Sequence, residues 1–176
     1  MYWLLLFVAA IGIALLLARV LFPKDTSNAA KLMNTYRMMT RELLDNTPDD
    51  QLVKAVIANL LAKAEVARGN AYAVIPTLSQ ERCAVYSVWL FQNEMKGDDP
   101  TVLRQSGQFG FSELAADGLD LLGFDALAAD LRNYLQTADD ALAASMKQAL
   151  AGISLDTALV EFIRDHADAF CDGDDQ

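Results

Sequence analysis

The chain predicts an all-α protein, with one N-terminal transmembrane helix followed by one compact bundle of about six helices. Three observations carry that expectation. Apolar residues recur at 3.6-residue spacing in segment after segment. No stretch alternates apolar and polar residues over strand length. Residues 2–22 read YWLLLFVAAIGIALLLARVLF, with Arg19 as their single charge.

A helix of that length spans about 30 Å, the thickness of a bilayer's hydrocarbon core. A buried helix of a water-soluble core rarely avoids a polar face for so long. A cleaved signal peptide would place Lys or Arg ahead of a shorter apolar stretch and small residues at its end. Here only Met1 precedes the run, and Arg19-Val20-Leu21-Phe22-Pro23 closes it. Residues 1–22 are therefore expected to anchor the chain, meeting the lipid bilayer through residues 2–22. Tyr2, Trp3 and Phe22 suit the two interfaces, and Arg19 can reach the headgroups. Arg19, Lys24, Lys31, Arg37 and Arg41 lie on the C-terminal side of the run, with no base before it. That bias places the N-terminus outside and the following domain in the cytoplasm, at a bacterial inner membrane.

Residues 23–28 form a short juxtamembrane segment, residues 29–170 the acidic helical domain and residues 171–176 a disordered acidic tail. A helix is expected over residues 25–44, with Leu32, Tyr36, Met39 and Leu43 on its apolar face. Thr47-Pro48-Asp49-Asp50 then reads as a helix start, with Thr47 as cap and two carboxylates on the positive end of the dipole. The stripe Leu52, Val53, Val56, Ile57, Leu60, Leu61, Ala64 follows, and Gly69 stops it. Ser79 caps the next helix, which faces Ala84, Val85, Val88, Trp89 and Met95 inward until Gly97. Residues 96–110 read as loop. Ser112 and Glu113 open a helix that Gly123 closes, and Asp125 caps a second carrying Leu127, Leu131, Tyr134 and Leu135. Their joint is short, so the two should pack antiparallel as a hairpin. Helices over residues 139–150 and 155–170 complete the body.

Without Arg19 the 14 basic residues fall by one against 24 acidic ones, so the body carries about −11, which disfavours nucleic acid and suits a basic protein partner. Direct nucleic-acid binding is not expected, since no basic surface interleaved with aromatics appears. Cys83 and Cys171 match no metal or redox spacing, and Cys83 reads as a buried thiol on an apolar face. Asp165, His166, Asp168 and Cys171 cluster, but their spacing matches no metal signature and reads as a solvated acidic helix end. The pairs Asp49/Asp50, Asp98/Asp99 and Asp139/Asp140 sit at helix starts or turns, where the dipole accounts for them. No nucleophile elbow, phosphate loop or zinc-protease motif is present. The expectation is a non-enzymatic protein with no cofactor and no metal.

Leu78-Ser79-Gln80-Glu81-Arg82 leads into Val85-Tyr86-Ser87-Val88-Trp89 and then Asn93-Glu94-Met95. Ser106-Gly107-Gln108-Phe109 and the joint Leu119-Asp120-Leu121-Leu122-Gly123-Phe124-Asp125-Ala126-Leu127-Ala128 follow. Over residues 78–135 this pattern resembles a family of small, acidic, all-helical bacterial domains known through DNA-mimic proteins. The family's Asn-Gly-Gly-Phe type loop is not retained; Lys96-Gly97-Asp98-Asp99-Pro100 stands in its place, with Gln105 matching the family's glutamine. The resemblance implies a helical, non-enzymatic domain whose acidic face engages another protein. The residues read as that face are Glu94, Asp98, Asp99 and Glu113, with Asp117 and Asp120. Two functions are expected from this surface. The first is a membrane-anchored interaction module; the other is a DNA-mimic or immunity-type inhibitor that offers carboxylates to a basic protein.

Overall fold

The computed structural model describes residues 26–67, 71–97, 99–106 and 110–173, and among them every regular element is helical. In chain order these are α1 (Thr26–Thr35), α2 (Arg41–Asn46), α3 (Asp49–Val66), α4 (Ala71–Val74), a 3-10 turn (Ile75–Thr77), α5 (Gln80–Met95), α6 (Val102–Ser106), α7 (Phe111–Leu121), α8 (Asp125–Thr137), α9 (Asp140–Ala151), α10 (Leu155–Asp165) and α11 (Ala167–Phe170).

The expected layout of one membrane-crossing helix and about six bundle helices is corrected. Among the described residues no helix is long and apolar enough to cross a membrane. The longest, α3, carries Asp49, Asp50, Lys54, Lys63 and Glu65. The anchor expectation, including Tyr2, Trp3, Arg19 and Phe22, falls on residues outside those described. The body is also cut more finely than into six helices: two of the expected helices are divided, and short helices stand at Ala71–Val74 and Val102–Ser106.

At the centre stands α3, whose residues from Ala55 to Leu60 are all buried, so it meets neighbours on every side. Against it lie α1, α4, α5 and α10. The second centre is α5, which packs along α7, and α7 in turn pairs with α8. Ser79 caps α5 as its position predicts, its hydroxyl accepting from the Arg82 N–H. The core runs through both centres, with Phe91, Phe111, Tyr134 and Phe170 as its largest fully buried side chains.

Several boundaries differ from the sequence reading. The expected helix over 25–44 is two, α1 and α2, divided at residues 36–40. Thr47 does not cap α3. Its hydroxyl donates to Leu43 O at 2.7 Å and closes α2, while Pro48 stands at the N-cap of α3. The α3 helix ends at Val66, before Gly69. The segment 96–110 holds the short helix α6. Gly110, at φ 75°, caps α7 with a left-handed turn that a side chain would strain, and the Ser112 hydroxyl donates to Leu103 O. Asp125 is the first residue of α8 rather than its cap. The helix over 155–170 divides at His166, whose ring nitrogen Nδ1 lies 2.9 Å from Phe162 O.

Arg164 joins three of these elements. Its guanidinium donates to Leu44 O at 2.7 Å and Thr47 O at 2.6 Å, and pairs with Asp49 at 2.7 Å. Both carbonyls lie at the α2 end, where Leu44 O also accepts from Thr47 N–H at 3.2 Å. Arg164→Ala is expected to lower stability by about 2 kcal/mol, read as a shifted urea midpoint at unchanged slope, since a charge-assisted bond contributes about 1.5–3 kcal/mol.

Candidate interaction surface

The hairpin of α7 and α8 is built by its joint. Gly123 takes φ 80°, and Phe124 N–H reaches back to Leu119 O at 2.8 Å while Gly123 N–H bonds Asp120 O at 3.0 Å. These two bonds are the paired closure of a helix end whose left-handed residue is best served by glycine. The chain reverses there, and α8 returns along α7.

That reversal places Arg132 of α8 over the outer face of α7. Its Nη2 stands 2.6 Å from Asp117 Oδ1 and 2.6 Å from Asp120 Oδ2. The hydrogen bonds that Arg132 donates to Asp120 and then Asp117 hold the guanidinium pKa above its ordinary value. All three side chains are well exposed, so the pairs add little stability and serve to fix positions. Glu113 lies one turn before Asp117 on the same face and is exposed. Asp125 and Asp130 add two more carboxylates on α8, so the hairpin carries five acids against Arg132 alone. Leu121, 43% exposed, adds an apolar spot near the joint.

Of the six acids read from the sequence, α7 brings Glu113, Asp117 and Asp120 together. Glu94 is half-buried on α5, beside Phe111 and Ser112 at the opposite end of α7 from the joint. Asp99 is turned to its own loop: Oδ1 accepts from the Thr101 hydroxyl at 2.6 Å and the Thr101 N–H at 2.9 Å. Those two bonds hold its carboxyl below the usual range. Asp98 lies outside the described residues. The acids therefore do not form one patch; three of them, on α7, form a face.

A buried polar cluster is the feature that the sequence reading missed. Asp172, assigned there to a disordered tail, has a side chain only 6% exposed. Its Oδ1 meets Lys63 Nζ at 2.6 Å and Arg82 Nη2 at 2.9 Å. Its Oδ2 accepts from Met39 N–H at 2.8 Å and Asn59 Nδ2 at 2.9 Å. Burial pushes this carboxyl up, but the bonds from Lys63, Met39, Asn59 and Arg82 outweigh it and the pKa stands below the ordinary value. Arg82 also donates to Ala169 O and Cys171 O, tying α11 to α5. The tail expectation is thus corrected for residues 171–173, which dock because four donors converge on one carboxylate. One signal in the sequence pointed here: Asn59 interrupts the apolar stripe of α3, and a buried amide needs partners. A shallow cavity of about 320 Å³ opens beside the cluster, lined by Met38, Lys63, Ser79, Arg82 and Cys171 among others.

Among the described residues no group of three His, Cys, Asp or Glu side chains is placed to hold a metal ion. In the cluster around His166, Asp168 pairs with Arg41 at 2.8 Å. Both cysteines are free thiols, Cys83 buried as expected and Cys171 half-buried. Burial raises both pKa values; Cys83 feels Asp117, whereas Cys171 lies among Arg41, Asp168 and Asp45. No family model, no curated protein and no solved structure matches this chain.

Proposed function

We propose that this chain is a non-enzymatic, acidic, helical interaction module that engages a basic protein through the outer face of the α7–α8 hairpin. The observation that carries the reading is the arrangement of Glu113, Asp117 and Asp120 along one face of α7, with Arg132 the single base on the hairpin. Carboxylates held on a packed scaffold lose little freedom when a basic surface meets them, so complementarity converts into rate and specificity. The partner is a protein rather than nucleic acid, because the net charge of −10 repels phosphate. A location at the cytoplasmic face of a bacterial inner membrane is supported by the sequence of residues 2–22 and the bases that follow it, and carbonate extraction of the intact chain tests it.

The decisive variant is Glu113→Gln/Asp117→Asn/Asp120→Asn in the full chain. Crosslinking and pull-down from cells should lose the partner that the parent chain captures, while the thermal midpoint moves by less than about 1 kcal/mol equivalent. Capture by the parent chain should weaken steeply between low salt and 1 M, where the screening length falls to about 3 Å. Capture that ignores both salt and the triple replacement overturns the reading. The DNA-mimic or immunity-type reading is favoured by the resemblance over residues 78–135, which includes this hairpin. It differs by one outcome: duplex DNA then competes for the same partner.

A further inference from the structure

We infer that residues 171–173 form a latch that holds open a break in a helix, and that residues 26–46 close into a single helix when the latch is out. The residues between α1 and α2 contain no Gly or Pro, and Arg37, Met38 and Met39 are good helix formers. The one local signal there is Thr40, which can cap α2 but does not by itself prevent a helix. Leu32, Tyr36, Met39 and Leu43 also keep helical spacing straight across the gap.

The break is imposed from outside. A continuous helix would send Met39 N–H to Thr35 O and use Met39 O to accept from Leu43 N–H. Asp172 takes both groups: its Oδ2 accepts from Met39 N–H at 2.8 Å, and its own N–H donates to Met39 O at 2.7 Å. Leu43 N–H is left to the Thr40 hydroxyl at 3.1 Å, and Thr40 stands extended at φ −83°, ψ 161° as the cap of α2. Asn59 Nδ2 satisfies Tyr36 O and Arg37 O at 2.9 and 3.2 Å. Of these partners only Asp172 lies on a short segment beyond the last helix, and Lys63 and Arg82 hold it in place.

The element that would move is lightly held. From Asn28 to Thr35 no side chain is fully buried; only Leu32 and Met33 pack, half-buried, against the core, and Met38 is 48% exposed. Release of the latch therefore lifts α1 from α3 and turns it into line with α2. In this way the state of residues 171–173 sets the direction in which the chain before α2 leaves the body.

The test compares the full chain with Asp172→Asn and Asp172→Ala by backbone NMR shifts. In the variants the Cα and carbonyl shifts of residues 37–40 should move to helical values, Thr40 should lose its extended signature, and the ellipticity at 222 nm should deepen. Adding Met38→Gly to Asp172→Asn should reverse the change, since Gly disfavours a helix interior by about 1 kcal/mol. Extended or random-coil shifts at residues 37–40 in both variants overturn the inference. Loss of the whole fold in both also overturns it, because the break would then be a requirement of the fold rather than a constraint laid on a helix.

Discussion

Asp172→Ala is expected to cost about 3–5 kcal/mol of folding stability, an unusually large loss for a residue two positions beyond α11. The replacement leaves Lys63 and Arg82 facing one another with no counter-charge, in a site where their side chains are only 24% and 10% exposed. Met39 N–H also loses its carboxylate acceptor and turns to Thr35 O, so the cost rests on the two unpaired charges. Asp172→Asn keeps the shape but turns an amide NH2 toward at least one donor that now meets an oxygen, so it should recover only part of the loss. Ending the chain after Phe170 should match the alanine variant. Urea titrations of the three proteins at one pH give the comparison. A truncated chain as stable as the parent would show that the docked segment contributes nothing.

The same carboxylate gives the pH dependence its sign. Its folded pKa lies below the unfolded value of about 3.9, so it favours the folded state at every pH above that value. The contribution fades as pH falls through the folded pKa, where the native carboxylate finally takes a proton. The gap in stability between the parent and Asp172→Asn should therefore be flat near neutrality and shrink below about pH 4. A gap that instead opens on acidification would contradict this account of the site.

Gly118→Val is expected to cost about 3 kcal/mol, and Gly118→Ala about half as much. Gly118 sits where α7 crosses α5. A Cβ built on it would lie 2.8 Å from Val88 Cγ2, 3.1 Å from Ala84 O and 3.2 Å from Ala84 Cα. The first of these could yield by a rotamer change; the other two are backbone, so the helices themselves must part. Alanine would gain about 1 kcal/mol of helix propensity over glycine, which is why its net cost is the smaller. Valine adds bulk and a branched Cβ that crowds the preceding turn. Because α7 also carries Glu113, Asp117 and Asp120, the same variant should weaken partner capture while Arg132 still pairs with Asp117 and Asp120. Thermal denaturation and capture measured on one preparation separate the two effects. An unchanged midpoint for the valine variant would mean that α5 and α7 do not approach as closely as described.

Much of the helical body is readable along the chain because the signals are local. Ser79 announces α5 three residues before the N–H that it caps, and Gly123 announces the hairpin joint within one turn. The face shared by Glu113, Asp117 and Asp120 follows from spacings of four and three residues. The pairing of Arg132 with two of them does not, since it lies 15 and 12 residues away and depends on how α8 returns. Likewise the division of the helix over 25–44 shows in its own residues only as a candidate cap at Thr40. Its causes are Asn59 and Asp172, which lie 23 residues from Tyr36 and 133 residues from Met39.

Taken alone, the amino-acid order decided the helical state of the body, the cap at Ser79 and the reversal at Gly123, its acid excess and the outward face of α7. Each of these depends on neighbours within about a turn, or on composition, and needs no knowledge of the partner helices. Packing decided where the expected helix over 25–44 breaks, which arginines clamp which carbonyls, and that Asp172 lies inside. A buried charge or an unpaired backbone group is tolerated only where distant donors converge on it, and that convergence exists only once the chain has folded.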